Sequence, residues 1–259
     1  MTGDGDSRAG DDPIGDARAL AAERFPEALA VVLAGSVLTS RRTSASDLDV
    51  VVLLAGPPAP FRETIRWRGW PVELFVQTHA SAQWFWDDET QRRSSPLLHM
   101  CAEGRLLVDV EGAGSWLQGQ ARDRLAAGPP VADPATIDRE RYLLTDALDD
   151  LAACVDVGER AFVADVVLQS AARLAMLHAR RWQGGGKWLY RRLSELDPVL
   201  ARALVAAHRE ALDGDPAPLT AVVHHVLDRV GGPLAEGYRE GGDVVRAPVG
   251  ELREEQSGG

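Results

Sequence analysis

Two aspartates stand one residue apart at the start of an apolar run, where their carboxylates could bind a cation. The run reads SDLDVVVLL over residues 46–54. Side chains alternate between the two faces of a strand, so Asp47 and Asp49 project together while Leu48 and Val50 project the opposite way. Two adjacent carboxylates repel one another unless a cation lies between them. Because short motifs recur by chance, this motif alone favours a solvated strand start over a cation site.

A third carboxylate, Glu73, lies inside the run PVELFV, which contains no other polar residue. An ionised carboxylate among apolar side chains is costly unless it is paired or binds a metal. If the strand at 70–78 neighbours the strand at 48–55, Glu73 becomes a third oxygen donor, and such a set suits Mg²⁺. The alternative is an edge-strand residue whose charge is paired across a hairpin by Arg66 or Arg68.

A Gly-Ser pair, Gly35 and Ser36, follows the apolar segment ALAVVLA. Gly35 lies twelve residues before Asp47. Glycine lets the main chain approach a ligand closely, and successive backbone N–H groups after a strand can hold an anion. The Ser36 hydroxyl can donate to a phosphate oxygen. Alone, the pair is a turn. Followed by the two aspartates and a carboxylate on the next strand, it indicates a phosphate and metal site.

The pattern GSVLTSRRTSASDLDVVV, with VELFV after it, resembles the minimal nucleotidyltransferase domain of the DNA polymerase β superfamily. Within that superfamily the chain is most similar to small bacterial aminoglycoside adenylyltransferases of the streptomycin type, which carry a C-terminal helical bundle. The likeness covers about residues 30–78. Many relatives have a second glycine five residues after the first, and this chain has Ser40 there.

The resemblance implies a role for each matching residue. Gly35 and Ser36 would hold the β- and γ-phosphates of ATP, the donor substrate. Asp47 and Asp49 would bind two Mg²⁺ ions, and Glu73 would match the third metal-binding carboxylate. The implied reaction transfers AMP to a hydroxyl group and releases pyrophosphate, with one metal activating the hydroxyl and the other neutralising the leaving group.

The general base and the acceptor stay open at this point. Glu73 can accept the proton of the attacking hydroxyl, and the alternatives are two groups of acids: Asp87, Asp88 and Glu89, and Asp146, Asp149 and Asp150. A net charge of -11 suits a small cationic hydroxyl acceptor such as an aminoglycoside. The alternatives are AMP transfer to a protein hydroxyl, as in toxin–antitoxin pairs, and an inactive nucleotide-binding module.

Two basic positions are further candidates for nucleotide binding. Lys187 is the one lysine in the chain; it follows three glycines and can reach a triphosphate, or it is an ordinary surface lysine. Arg42, in the loop before Asp47, can steady phosphates or simply face solvent. Of the aromatic pair Trp84 and Trp86, we expect one in the core and one at the surface.

Composition and periodicity predict an α+β chain in which a mixed sheet is followed by an all-helical bundle. The predicted ranges are a disordered tail at 1–14, a nucleotidyltransferase domain at 15–130, a bundle domain at 131–232 and a flexible tail at 233–259. Strands are expected near 28–35, 48–55, 62–69, 70–78 and 105–110, with the hairpin turn at Gly69. The bundle helices are expected at 139–156, 160–182, 198–212 and 219–230.

Charge and composition also predict what the chain does not bind. The negative net charge argues against a nucleic-acid partner, which needs Lys and Arg to neutralise phosphates. We expect no membrane span, no signal peptide, a cytoplasmic location and reduced thiols at Cys101 and Cys154. The histidines lack ligand spacing, so no zinc site is expected. A homodimer is compatible with the sequence, which does not decide it.

Overall fold

The computed structural model describes residues 12–240, which form two compact units. The first unit contains residues 12–131 together with 179–196. The second contains residues 132–178 together with 197–240. The predicted domain ranges were consecutive, whereas in the structure the segment 179–196, which includes Lys187, groups with the first unit.

The first unit is built on a five-stranded mixed sheet, as predicted. Its strands are β1 (Ala30–Ala34), β2 (Leu48–Leu53), β3 (Phe61–Trp67), β4 (Trp70–Gln77) and β5 (Arg105–Asp109), in the spatial order β3-β4-β2-β1-β5. The central pair β2 and β4 is parallel, and the other neighbouring pairs are antiparallel. The hairpin between β3 and β4 turns at Arg68 and Gly69, both with positive φ.

Nine α-helices and one short 3₁₀ helix (Ser36–Leu38) are found within residues 12–240. In chain order the α-helices are α1 (Pro13–Arg24), α2 (His79–Gln91), α3 (Pro96–Glu103), α4 (Ala113–Ala127), α5 (Pro134–Ala153), α6 (Val157–His178), α7 (Lys187–Leu196), α8 (Pro198–Leu212) and α9 (Ala217–Asp228). The predicted disordered tail ran to residue 14, but α1 begins at Pro13, with the Asp12 side chain accepting from the N–H of Gly15. The rest of that tail lies outside the described residues.

The central strands are buried because helices cover both faces of the sheet. Every residue of β1 is buried, and every residue of β2 except Asp49. One face packs against α1, through Ala17 and Leu20, and the other against α2, α3 and α4, through Trp86 and Leu98. Strands covered on both faces are near-continuously apolar, which explains the Val- and Leu-rich sequences of β1 and β2.

The second unit is helical, as predicted. Helix α5 packs against α6, and α6 packs against α8 and α9. Residues 233–240, predicted to be flexible, are bonded to α5: the Tyr238 ring stacks on Tyr142 at 4.3 Å between centroids, and the N–H of Leu234 donates to Thr145 Oγ1 at 3.1 Å. The remainder of the predicted tail lies outside the described residues.

Helix α6 has the length and hydropathy that a membrane span needs, with a mean hydropathy of 1.2 over the relevant window. It is the one such helix within residues 12–240. Of that window, 44% is buried inside the protein, a combination that core helices of globular proteins also show.

Candidate active site

The parallel pairing of β2 with β4 brings two of the predicted carboxylates together. Asp49 and Glu73 are direct register partners across this pair. Neighbouring strands lie about 4.8 Å apart, and in-register side chains project to the same face. Both residues are half-buried, whereas Leu48 and Val50 on either side of Asp49 are buried. The condition under which Glu73 joins the aspartates, that these two strands are neighbours, is therefore met.

Asp47 lies immediately before β2 and is half-buried like Asp49. Burial raises the pKa of Asp49 to about 6, and the neighbouring charges of Asp47 and then Glu73 raise it as well. The three carboxylates thus form one electrostatic cluster at this end of β2. Mutual repulsion of this kind is relieved when a cation binds between the acids.

Two basic residues oppose this effect, because the charges of Lys187 and Arg62 lower the pKa of Asp49. The guanidinium of Arg62 donates to Glu73 Oε2 at 2.7 Å, and its carbon lies 4.9 Å from the ring centroid of Phe75. On β3, Thr64 is the register partner of Glu73, and Arg62 faces Phe75. Arg62 therefore reaches Glu73 diagonally across the hairpin.

The sequence suggested a different partner for Glu73. Arg66 donates to the carbonyl of Gly69 at the hairpin turn, and Arg68 donates to Asp16 Oδ1 at 3.2 Å. A cross-strand pair was the right kind of interaction, but Arg62, at the opposite diagonal, is the residue that makes it.

Lys187 belongs to the same unit as the carboxylates, because the chain before it is bonded to the rest of that unit. The N–H of Gln183 donates to the Arg93 carbonyl at 2.8 Å, and Trp182 Nε1 donates to the Leu125 carbonyl at 3.1 Å. Arg180 Nε likewise donates to the Pro129 carbonyl at 2.8 Å. These bonds hold the segment that leads to the first residue of α7, which is Lys187 itself.

The Gly-Ser pair lies against the same cluster. Ala34, the last residue of β1, is the register partner of Asp49, and Gly35 follows it with φ of 93°. A Cβ atom on Gly35 would lie 2.5 Å from Asp49 Oδ2, closer than any side-chain contact allows. Glycine is thus required both by its backbone conformation and by the approach of the main chain to Asp49.

Ser36 is joined to the residue before Asp47. Its Oγ atom lies 2.9 Å from Ser46 Oγ, and Ser46 Oγ also accepts from the N–H of Thr43 at 3.0 Å. Ser46 is 5% exposed. This serine fixes the loop between β1 and β2 at both ends, a role that was not predicted for it.

The other loop candidates lie nearer the surface. Ser40 and Arg42 are exposed. The guanidinium of Arg42 lies over the ring of Trp70, 5.2 Å from its centroid, at the start of β4. The predicted division of the tryptophan pair is confirmed, since Trp84 is 63% exposed and Trp86 is fully buried.

The alternative acids on α2 have structural partners. Asp87 forms a salt bridge with Arg124, and Asp88 forms one with Arg92. Glu89 is buried, and its carboxylate accepts from the backbone N–H groups of residues 97 and 98 at 2.7 and 3.0 Å. Glu89 therefore closes the N-terminus of α3. The acids Asp146, Asp149 and Asp150 lie on α5, in the second unit.

The structure favours a cation site made of two aspartates over one that also includes Glu73. Within residues 12–240, no three His, Cys, Asp or Glu side chains converge as metal ligands, and Glu73 bonds to Arg62. Asp47 and Asp49 supply hard oxygen donors on one side of β2. Mg²⁺ is commonly held by one or two carboxylates, with phosphate and water oxygens completing its shell.

Comparison with known proteins gives a distant structural likeness. No protein-family model matches the chain, and neither does any curated protein sequence. The chain is similar to the crystal structure of a nucleotidyltransferase-like protein from Exiguobacterium sibiricum 255-15, with 13% identity and a TM-score of 0.45. The match covers 85% of this chain and 77% of that one. So distant a likeness assigns no activity to this chain.

Proposed function

We propose that this chain is a Mg²⁺-dependent nucleotidyltransferase that transfers AMP from ATP to a hydroxyl group and releases pyrophosphate. The observation that carries the proposal is the close approach of Gly35 to Asp49, whose pKa the charges of Asp47 and Lys187 both shift. A close main-chain approach, a pair of hard oxygen donors and an ammonium group are the components that a metal triphosphate needs.

The donor would bind at the turn after β1. The N–H groups that follow Gly35 and the Ser36 hydroxyl would donate to phosphate oxygens, with Ser46 fixing the Ser36 side chain. Lys187 would add a positive charge on the side from which it already lowers the pKa of Asp49. Fixing the triphosphate in this way orients the α-phosphorus for in-line attack.

The two aspartates would bind the metal ion, and Glu73 would accept the proton of the attacking hydroxyl. Asp47 and Asp49 would hold Mg²⁺, which would supply positive charge for activation of the attacking hydroxyl and for the departing pyrophosphate. Glu73, beside Asp49 in register, would accept the hydroxyl proton through Oε1, since Oε2 is bonded to Arg62. The acceptor oxygen then forms a bond to the α-phosphorus, and the bond from that phosphorus to the β-phosphate bridging oxygen breaks.

The acceptor that fits best is a small cationic molecule with a free hydroxyl, such as an aminoglycoside. The net charge of -11 and the carboxylate cluster both favour a cation over an anion. A protein hydroxyl is the competing acceptor for the same chemistry. The remaining alternative is an inactive module that binds the nucleotide but transfers no AMP.

Pyrophosphate release tests the proposal. The purified chain would be incubated with each nucleoside triphosphate, Mg²⁺ and a panel of aminoglycosides, beside Asp49→Asn and Asp123→Asn. The second variant makes the same charge change at an exposed position on α4. We expect acceptor-dependent release with ATP, lost in Asp49→Asn and kept in Asp123→Asn. Pyrophosphate release that requires an added protein, and that no member of the panel supports, would favour the competing acceptor. Binding of Mg-ATP without any release would overturn the transferase proposal.

A further inference from the structure

We propose that Arg62 is a built-in counter-ion that keeps Glu73 out of the metal-binding set, so that Asp47 and Asp49 alone hold the divalent cation. The inference rests on the proposed function, because it concerns the same metal site. It departs from the three-carboxylate arrangement that the sequence suggested. In this view Arg62 is a positioning residue, which acts through Glu73.

The geometry of the Arg62 side chain supports this role. Its guanidinium donates to Glu73 Oε2 at 2.7 Å and lies over the ring of Phe75 at 4.9 Å. Glu73 and Phe75 alternate on β4 and project to the same face, where both are half-buried. One planar guanidinium can thus bind the carboxylate and stack on the ring together, which a lysine ammonium does less well.

The charges at the site lead to the same conclusion. Three acids, Asp47, Asp49 and Glu73, and two basic residues, Arg62 and Lys187, belong to the same unit, and Arg62 is bonded to Glu73. When Arg62 neutralises Glu73, the aspartates carry two negative charges, which match one divalent cation. Lys187 then remains available for the phosphates. A cation bound by all three acids would instead have to displace Arg62 from Glu73.

A consequence follows for Glu73 itself. One of its oxygens is bonded to Arg62, and the other can face the acceptor. Held in this way, Glu73 is placed to orient the acceptor hydroxyl and take its proton, and it does not need to change partners when the metal arrives.

Binding of Mn²⁺, followed by the electron paramagnetic resonance signal of the free ion, tests the inference on the full chain. The set is the wild type, Arg62→Gln, Glu73→Gln, the double variant and Arg66→Gln. The last is a matched control, because Arg66 lies on the same exposed face of β3, four residues from Arg62. Four residues of strand span about 13 Å. Arg62→Lys, which keeps the charge, is added as a conservative variant.

Two single variants should move the Mn²⁺ affinity in opposite directions. Arg62→Gln frees the Glu73 charge and should tighten Mn²⁺ binding about tenfold, while Glu73→Gln leaves Arg62 unopposed and should weaken it about tenfold. The double variant removes a neutral pair, so its affinity should return to within about threefold of the wild type. Arg66→Gln should bind like the wild type, and Arg62→Lys should stay close to it.

Each of the other outcomes decides a separate point. A double variant as weak as Glu73→Gln would show that Glu73 is a metal ligand and would overturn the inference. An Arg62→Gln variant indistinguishable from Arg66→Gln would also overturn it. If the wild type bound no Mn²⁺ but Arg62→Gln did, the two-aspartate site and the metal-dependent function would both fall, and only the pairing of Arg62 with Glu73 would stand. If no variant bound Mn²⁺, both would fall.

Discussion

The main chain at Gly35 lies against the carboxylate of Asp49, so closely that a Cβ atom on Gly35 would lie 2.5 Å from Oδ2. The contact joins the end of β1 to the acid in the centre of the site, and it follows from the pairing of Ala34 with Asp49. The phosphate-binding turn and the metal-binding acid of the proposed site are thus two sides of one contact.

Gly35→Ala should therefore damage the site. The new methyl group must displace the Asp49 carboxylate or the turn, and the positive φ adds strain, so the free energy of unfolding should fall by about 1–3 kcal/mol. Affinity for Mg-ATP, measured by calorimetry, should fall together with it. Gly56→Ala is the matched control, because a Cβ there meets no atom within 4 Å. Equal stability and equal nucleotide affinity in the two variants would contradict this view of Gly35.

Lys187 permits a test by chemical labelling, because it is the one lysine in the chain. We expect an amine-reactive reagent to modify Lys187 in the free protein, and Mg-ATP to protect it, since the ammonium would then bind phosphate. Mass spectrometry of the peptide that contains Lys187 measures the extent of modification. The α-amino group of the same chain is an internal reference that should label equally with and without ATP. Unchanged labelling of Lys187 at saturating Mg-ATP would remove it from the phosphate site.

Glu89 should make the stability of the protein depend on pH. Burial raises its pKa from 4.5 to about 7, against the effect of the two N–H donors at residues 97 and 98. The folded state therefore holds the proton more tightly than the unfolded state does. The resulting stabilisation is complete below pH 4.5 and is lost as the pH rises through 7, an effect of about 3 kcal/mol.

Glu89→Gln should flatten this dependence between pH 4.5 and 7 in urea unfolding measured at several pH values. Glu23→Gln, an exposed change on α1, should leave the slope of the wild type unchanged. If Glu89→Gln kept the wild-type slope, the proton would not be held at Glu89.

Asp16 joins α1 to the β3–β4 hairpin, which contains Glu73. Its carboxylate accepts from Trp70 Nε1 at 3.1 Å and from Arg68 at 3.2 Å, and its carbonyl accepts from Trp67 Nε1. The Asp16 side chain is 12% exposed. Asp16→Ala should lower the free energy of unfolding by about 2 kcal/mol, because it leaves a half-buried indole N–H without its acceptor. Urea unfolding measures this, with exposed Asp123→Ala as the control; equal midpoints would show that the anchor is not stabilising.

The sequence predicted the strands of the site better than the partners of its side chains. The patterns SDLDVVVLL and PVELFV indicated that Glu73 would join the aspartates if their two strands were neighbours, and Asp49 and Glu73 are indeed register partners. These patterns could not choose the partner of Glu73, because an antiparallel hairpin offers a diagonal neighbour on each side. The guanidinium of Arg62 also stacks on the ring of Phe75, a contact that the spacing of residues in the sequence does not reveal.

The position of Lys187 and the role of Glu89 were hidden for a related reason. Both depend on bonds to backbone groups: the carbonyls of Leu125 and Arg93 hold the segment before Lys187, and two N–H groups of α3 hold Glu89. Every residue carries such groups, so no residue type marks them in a sequence. Interactions of this kind become visible only in the folded chain.

Calorimetric titration of ATP into the protein, with and without Mg²⁺, tests most directly whether the end of β2 is a metal-dependent nucleotide site. We predict that the wild type binds ATP with Mg²⁺ present and much more weakly without it. The metal-dependent part should be lost in Asp47→Asn and in Asp49→Asn and kept in Asp123→Asn. ATP binding that ignores Mg²⁺, or that survives in both aspartate variants, would contradict the account.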